Sequence, residues 1–133
     1  MKTANVTFVE SLYAAFQRAD IATIIAGLSP DVRWEMVGRS NDYVRLGARK
    51  GVAGVQEFFK ILAENEDFTE FQPNEIYADG DKVIVLGHLA LKFKKTDRKV
   101  ATEWAHIFTI KDGKVAEFKE FLDTAQFAAA SKT

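Results

Sequence analysis

The second half of the chain alternates apolar and polar residues with a period of two, and this feature constrains the fold most. The alternation predicts four strands, over residues 68–78, 82–95, 99–110 and 115–122. Short turns such as Asp79-Gly80-Asp81 separate them, so we expect consecutive strands to pair as antiparallel hairpins. Pro73 indicates an edge position or a bulge in the first strand. Antiparallel strands of this length twist strongly and, with bulges, bend into a half-barrel.

The first half of the chain follows the helical period instead. Apolar residues at i, i+3, i+4 and i+7 predict one helix over residues 5–18 and another after Gly51. Asp20 can cap a short helix between them that ends near Ala26. Residues 124–130 are predicted to form a short terminal helix.

A further strand and a loop lie between the second and third helices. The segment 32–37 has strand character, and the preceding Ser29-Pro30-Asp31 indicates a turn. Residues 38–50 are polar without a clear period, which predicts a lid or binding loop. The fold class is therefore α+β: three N-terminal-half helices pack on a strongly curved, mostly antiparallel sheet and enclose a pocket.

Composition narrows the class of protein. A chain of 133 residues fits one domain, residues 1–133, and 11 phenylalanines suit an apolar pocket. The net charge of −1, with both signs interspersed, argues against nucleic acid as a partner. There is no cysteine and no apolar run long enough for a membrane, so we expect a cytoplasmic protein that does not insert into membranes.

The order of the segments and several stretches within them resemble the NTF2-like superfamily, specifically its SnoaL-like and ketosteroid-isomerase-like branch. These stretches cover residues 16–20, 31–38, 51–59, 104–115 and 118–124. The resemblance implies a cone-shaped fold with an internal pocket. The superfamily includes isomerases, cyclases, hydrolases, dehydratases and members without catalysis, so it does not fix the reaction.

The resemblance also implies catalytic positions. In ketosteroid-isomerase-like members an aspartate near the place of Glu35 abstracts a proton, and the acid that stabilises the oxyanion aligns with His106. The tyrosine of those enzymes aligns with Leu12, one residue from Tyr13, which we expect in the pocket or at its rim. Strand alternation leaves a solvent-facing Glu35 as the alternative. For His106 the alternative is a lining side chain bonded to Glu120 or Tyr13.

Aromatic residues supply the expected pocket lining, and Glu120 is expected among them to orient the histidine or act as a second acid. The predicted ligand-binding residues are Trp34, Phe58, Phe59, Trp104, Phe108, Phe118 and Glu120. For each aromatic residue, a plain core position is the alternative. Tyr43, Arg45 and Arg49 of the loop are further residues able to close over a ligand. No phosphate loop or metal-ligand spacing occurs in the sequence, so we expect no cofactor and no metal.

The opposite face of the sheet is also partly apolar and predicts a homodimer. Ile84 and Leu86 lie on this face with Ala105 and Ile107, beside His88. Three functions remain open from the sequence. The first is a proton-transfer enzyme acting on a small apolar carbonyl compound. The second is a non-catalytic binder of a small hydrophobic molecule, and the third is a dimeric association module.

Overall fold

The computed structural model describes residues 2–132, which form four helices and six strands. The helices are α1 (Ala4–Gln17), α2 (Ile21–Ala26), α3 (Gly51–Asn65) and α4 (Thr124–Ser131). The strands are β1 (Leu28–Met36), β2 (Gly47–Lys50), β3 (Glu66–Asp79), β4 (Lys82–Phe93), β5 (Lys99–Lys111) and β6 (Lys114–Leu122). The three helices of the N-terminal half and the α+β class are as the sequence predicts.

All six strands belong to one sheet with the order β2-β1-β6-β5-β4-β3. Only the β1–β6 pair is parallel, and the other pairs are antiparallel. β3 is an edge strand whose register shifts between Pro73 and Glu75, so the prediction of an edge position with a bulge is confirmed. Together with the twist of long strands, such bulges bend the sheet around the helices.

Side-chain caps and apolar stripes explain where the helices form. The Thr3 hydroxyl accepts a hydrogen bond from Val6 N at 3.2 Å and starts α1. The Asp20 carboxylate accepts from Thr23 N at 3.1 Å and starts α2. The predicted stripes of α1 and α3 are buried against the inner face of the sheet. No helix within residues 2–132 is long and apolar enough to cross a membrane.

Two predictions about the first half are wrong. Residues 29–31 are not a turn but part of β1, whose register against β6 is irregular between Leu28 and Arg33 and accommodates Pro30 there. The segment 38–50 is not simply a polar loop. Its last four residues form β2, which pairs with β1, and Tyr43 and Arg45 are buried.

The predicted terminal helix is present and closes one side of the core. The Asp123 carboxylate caps α4 by accepting from Gln126 N at 3.2 Å. Phe127 of this helix is completely buried and packs edge-on against Phe93 of β4 at a centroid distance of 5.7 Å. α4 thereby shields the charged side chains that lie beneath Phe127.

Candidate functional site

A cavity of about 60 Å³ lies between the helices and the inner face of the sheet. Its wall is almost entirely apolar. It is lined by Leu12, Tyr13, Phe16, Ile24, Trp34, Met36, Arg45, Phe58, Phe59, Leu62, Phe68, Phe71, His106, Phe108, Phe118 and Glu120. Typical ligand pockets measure roughly 300–1,000 Å³, so the cavity is small in this conformation.

Most predicted site residues lie around this cavity. Tyr13 and His106 line it, as do all of the predicted ligand-binding residues except Trp104. Trp104 is buried beside the cavity, and its ring stacks on that of His106 at a centroid distance of 3.9 Å. Trp34 stacks on Phe118 in the same way at 4.1 Å. The Phe118 ring in turn meets that of His106 at a steep angle, with a centroid distance of 4.8 Å, so aromatic rings fix the position of the histidine.

Glu35 requires a correction, because the structure separates it from the other predicted catalytic residues. It is half-buried at a shallow site between Ala48 and Lys119, on the opposite side of β1 from the cavity. Its neighbours Trp34 and Met36 both line the cavity, and adjacent strand residues point to opposite faces. The prediction of Glu35 as the base in this pocket therefore does not fit the geometry.

A chain of three hydrogen-bonded side chains ends at the cavity. Tyr13 Oη lies 2.7 Å from His106 Nδ1, and His106 Nε2 lies 2.6 Å from Glu120 Oε2. An ionised Glu120 is only an acceptor, so Nε2 of a neutral ring carries the proton and Nδ1 accepts from the tyrosine hydroxyl. Both alternative partners predicted for His106 are thus present together. We call Tyr13, His106 and Glu120 the relay.

Burial sets the protonation states of the relay. It lowers the pKa of His106 despite the opposing charge of Glu120, so the ring is neutral at pH 7. Burial raises the pKa of Tyr13 well above its ordinary value, and the charge of Glu120 adds to this effect. Burial alone would raise the pKa of Glu120 as well, but Arg45 and His106 hold it below its usual value. The relay therefore contains a neutral tyrosine, a neutral histidine and a carboxylate.

Arg45 extends the relay into a larger buried network. Its Nη2 donates to Glu120 Oε1 at 2.9 Å, and its Nη1 donates to Glu66 Oε1 at 3.2 Å. The Tyr43 hydroxyl donates to Glu66 Oε2 at 2.6 Å. The guanidinium also lies over the Phe127 ring, with Cζ 5.2 Å from its centroid. The segment predicted to be a lid thus supplies the central cation of the site.

The carboxylates of Glu66 and Glu120 keep the Arg45 guanidinium protonated. Burial would lower the pKa of the guanidinium, but Glu66 and Glu120 raise it, so it remains charged. Burial raises the pKa of Glu66 in spite of Arg45 and the Tyr43 hydroxyl. Burial and the charge of Glu66 also raise the pKa of Tyr43.

Glu66 was missed by sequence reasoning. It occupies the junction between α3 and β3, where a polar residue carries no periodic signal. Its partner Arg45 lies 21 residues away in the chain.

An open groove of about 570 Å³ adjoins the cavity between α1, α3 and β3. Phe16, Phe59, Phe68 and Phe71 line both spaces and form the partition between them. The rings of Phe16 and Phe71 are in edge contact at a centroid distance of 4.9 Å. Movement of these side chains would join the cavity to the groove and enlarge the space for a ligand.

The structure shows no arrangement typical of a metal centre. Within residues 2–132, no group of three or more His, Asp or Glu side chains is placed to hold an ion. The network instead pairs its acids with Arg45, His106 and Tyr43. The network therefore consists of hydrogen bonds and ion pairs among its own side chains.

Comparison with known proteins agrees with this architecture. An NTF2-like protein of unknown function from Burkholderia pseudomallei is 25% identical, with 99% of this chain and 100% of that one covered and a TM-score of 0.88. An NTF2-like protein from Burkholderia thailandensis is 27% identical over 100% of both chains, with a TM-score of 0.87. TerC, crystallised with polyporic acid, is 25% identical over 98% of this chain and 100% of its own, with a TM-score of 0.84.

The family is established by sequence as well as by structure. No curated protein matches the chain at a significant level. The model of the SnoaL-like domain, however, matches residues 9–118, which include most of α1, the whole of β5 and the network apart from Glu120. The chain belongs to the SnoaL-like domain family, and its fold is NTF2-like.

Proposed function

We propose that the protein is an enzyme that transfers a proton on a small apolar carbonyl compound without a cofactor, in a reaction of the isomerase, cyclase or hydratase type. The observation that carries the proposal is the relay, a Tyr–His–Glu chain that ends at an apolar cavity. An apolar body of the substrate suits the aromatic wall. The relay suits an acidic hydrogen next to a carbonyl group.

The relay accepts the proton in one concerted step. As the substrate's C–H bond breaks, the Tyr13 oxygen takes the proton and passes its own to His106 Nδ1. The electron pair of the C–H bond moves onto the carbonyl oxygen and forms an enolate. Return of the proton to a different atom of the substrate completes an isomerisation. In a cyclisation, the enolate carbon attacks a second carbonyl, and the oxygen of that carbonyl takes the proton back from the relay.

The protonation states of the relay support this step. Tyr13 remains neutral throughout, in keeping with its raised pKa. His106 starts neutral and becomes an imidazolium, whose charge is balanced by Glu120 at 2.6 Å. Arg45 keeps Glu120 ionised and so ready for that charge. Tyr13 and His106 are the proposed catalytic residues, and Glu120 is a positioning residue.

One similar structure supports a small organic molecule as the ligand, because TerC was co-crystallised with polyporic acid. A non-catalytic binder would use the same cavity but would not need a proton chain inside it. Burial of charged groups such as Glu120 and Arg45 costs free energy that a purely apolar lining would avoid, which favours catalysis over binding alone.

Hydrogen–deuterium exchange tests the proposal without knowledge of the natural substrate. A panel of small aryl ketones, beginning with 2-tetralone, is incubated in D₂O, and loss of the α-proton signals is followed by NMR. We expect the wild type to accelerate exchange. Tyr13→Phe and His106→Gln should each reduce the enzymatic rate roughly 100-fold or more, the scale of general base catalysis.

Two matched variants control for loss of a tyrosine or a histidine elsewhere. Tyr77→Phe and His88→Gln alter exposed side chains of the outer face and should keep the wild-type rate. Exchange by the wild type no faster than in buffer, for the whole panel, would contradict catalysis. Binding of the ketones without exchange of their protons would indicate a protein that binds such ligands but does not catalyse the reaction.

We further propose that the protein forms a homodimer through the outer face of the sheet. Tyr77, Ile84, Leu86 and Phe121 are large apolar side chains that are at least 36% exposed on this face. They are contiguous, because Leu86 lies opposite Ala105 and Ala105 lies opposite Phe121 in the strand register. An exposed apolar patch of this kind is typical of an interface.

Sedimentation velocity tests the dimer. Leu86→Lys places a charge in the middle of the patch and should convert a wild-type dimer into a monomer. Val44→Lys is the matched control, because Val44 is 51% exposed but lies outside the sheet. A wild-type protein that sediments as a monomer at high concentration would contradict the proposal.

A further inference from the structure

Two residues of the cavity wall each carry a buried N–H group that has no acceptor among the described residues. The groups are Nε1 of Trp34 and Nε of Arg45, and both side chains line the cavity. Buried indole N–H groups normally find a partner, and leaving one unpaired lowers stability. A wall that is otherwise apolar therefore retains two unused donors.

Two other residues also have a buried N–H group without a partner, but they lie outside the cavity wall. Within residues 2–132, Trp104 Nε1 and Arg49 Nε are the other buried side-chain donors without a partner, and neither residue lines the cavity. Trp104 thus provides an internal comparison for Trp34. Both are buried tryptophans with an unpaired indole N–H, but only Trp34 belongs to the cavity wall.

Both donors adjoin the relay. Arg45 donates directly to Glu120 through Nη2. Trp34 stacks on Phe118, whose ring is 4.8 Å from that of His106. The two donors also flank one side chain, because the Phe58 ring centroid lies 5.7 Å from that of Trp34 and 5.7 Å from Arg45 Cζ. Trp34 and Arg45 therefore share a neighbour, Phe58, in the cavity wall that also includes His106 and Glu120.

We propose that Trp34 and Arg45 bind the substrate oxygen that becomes negatively charged when the relay removes a proton. The inference rests on the proposed proton transfer and narrows its substrate class. The substrate is a planar, apolar compound with an enolisable carbonyl or a phenolic hydroxyl. Its oxygen accepts from the indole and guanidinium N–H groups, and its flat body lies between the aromatic walls.

The charges of the network favour this arrangement. With Glu66 and Glu120 both ionised, Arg45 leaves the network with one excess negative charge. When His106 receives the proton, the network becomes neutral, and repulsion of a new oxyanion falls as that oxyanion forms. Donors fixed before the reaction in a water-poor site are an efficient means of stabilising such a charge.

A phenol and its hydroxyl-free analogue test the inference. Affinities of 4-nitrophenol and nitrobenzene are measured for the wild type, Trp34→Phe and the control Trp104→Phe. Trp34→Phe keeps an aromatic ring but removes the N–H. It should lower the affinity for 4-nitrophenol about 10- to 100-fold, as expected for loss of a hydrogen bond to a charged group. Binding of nitrobenzene should be nearly unchanged, and Trp104→Phe should bind both compounds like the wild type.

NMR of the unmodified protein gives an independent measurement should a variant fold poorly. The chain has only two tryptophans, so its ¹H–¹⁵N spectrum contains two indole signals. The Trp34 signal should shift downfield with 4-nitrophenol but not with nitrobenzene, while the Trp104 signal should stay in place. Equal shifts with both compounds, an unchanged affinity in Trp34→Phe, or no binding of 4-nitrophenol would overturn the inference.

The absorbance of bound 4-nitrophenol separates this inference from the proposed function. The phenolate band reports whether the bound phenol has lost its proton, and its change in His106→Gln shows whether that loss depends on the relay. If Trp34→Phe weakens binding while the bound phenol remains protonated, the oxygen site stands and the relay fails. If the exchange of ketone protons depends on Tyr13 and His106 but Trp34→Phe binds 4-nitrophenol normally, the relay stands and the oxygen site fails.

Discussion

The inner and outer faces of the sheet are built from the same strands but handle polar groups in opposite ways. The inner face buries His106 and Glu120 within an apolar wall. The outer face exposes apolar residues such as Leu86 and Phe121 to solvent. Buried ionisable groups and exposed large apolar side chains are both unusual in proteins. We connect the buried groups of the inner face with the proposed catalysis and the exposed side chains of the outer face with the proposed dimer.

The two histidines make the comparison sharper. His106 Nε2 lies 2.6 Å from Glu120, and His88 Nε2 lies 2.8 Å from Glu70. The two carboxylate–histidine pairs have almost the same geometry, but the first is buried and the second is solvated. Geometry alone thus does not distinguish them. Burial does, because charges are far stronger in a water-poor interior.

The largest difference in the free energy of unfolding is expected between loss of a buried arginine and loss of an exposed one. Arg45→Met leaves Glu66 and Glu120 buried without their counter-charge and should reduce the free energy of unfolding by roughly 3–5 kcal/mol. Arg33→Met, at an exposed position of β1, is the control and should change it by less than about 0.5 kcal/mol. Urea denaturation measures both. A loss below about 1 kcal/mol for Arg45→Met would show that the acids do not need the guanidinium.

The role of Arg45 also marks the limit of what the sequence predicts. Alternation in β4 and β5 correctly assigned the inner face, because burial of a strand follows a local period. Nothing local distinguishes a buried arginine from a solvated one. Its burial depends on Glu66 and Glu120, 21 and 75 residues away, which only the folded chain brings together.

Strand alternation also bears on Glu35. The resemblance implied a base at this position, whereas the apolar period of residues 32–37 indicated the opposite face. The structure agrees with the alternation. Local physical pattern was a better guide here than alignment to enzymes with a different catalytic set.

A smaller loss of stability is expected for a substitution at Gly87, where the neighbouring atoms leave no room for a side chain. A Cβ at Gly87 would collide with the Gln72 carbonyl oxygen and the Trp104 ring. Gly87→Ala should therefore cost about 2–3 kcal/mol and displace the tryptophan that stacks on His106. Urea denaturation and tryptophan fluorescence measure the two effects.

Gly80→Ala separates this collision from the general cost of replacing glycine. Gly80 lies in a turn with φ of 60° and has no atoms near a new Cβ. The substitution should cost about 1 kcal/mol from backbone strain and leave the fluorescence unchanged. Equal fluorescence changes in the two variants would contradict the packing argument.

Removal of one hydroxyl should have a still smaller effect. Tyr13→Phe leaves His106 Nδ1 buried without its donor and should cost about 1–2 kcal/mol. Tyr77→Phe removes an outer-face hydroxyl that water can replace, and its effect should be near zero. Thermal unfolding compares the two, and equal values would mean that the Tyr13 bond contributes nothing to stability.

The last effect is a slope rather than a single loss: the dependence of stability on pH. Burial holds the pKa of folded His106 below the ordinary value of 6.5, so below that pH the unfolded chain binds a proton that the folded chain does not. Stability therefore falls as the pH drops from 6.5 towards the folded pKa, by at most about 1.4 kcal/mol per pH unit. His106→Gln should flatten this slope, and His88→Gln is the matched control for loss of a histidine. Urea denaturation at intervals between about pH 7.5 and 5 gives the free energy of unfolding of each variant as a function of pH. This range covers the usual titration of histidine. Equal slopes for the wild type and His106→Gln would mean that the buried ring takes up a proton as readily as an unfolded one, and the relay would then lose its neutral base.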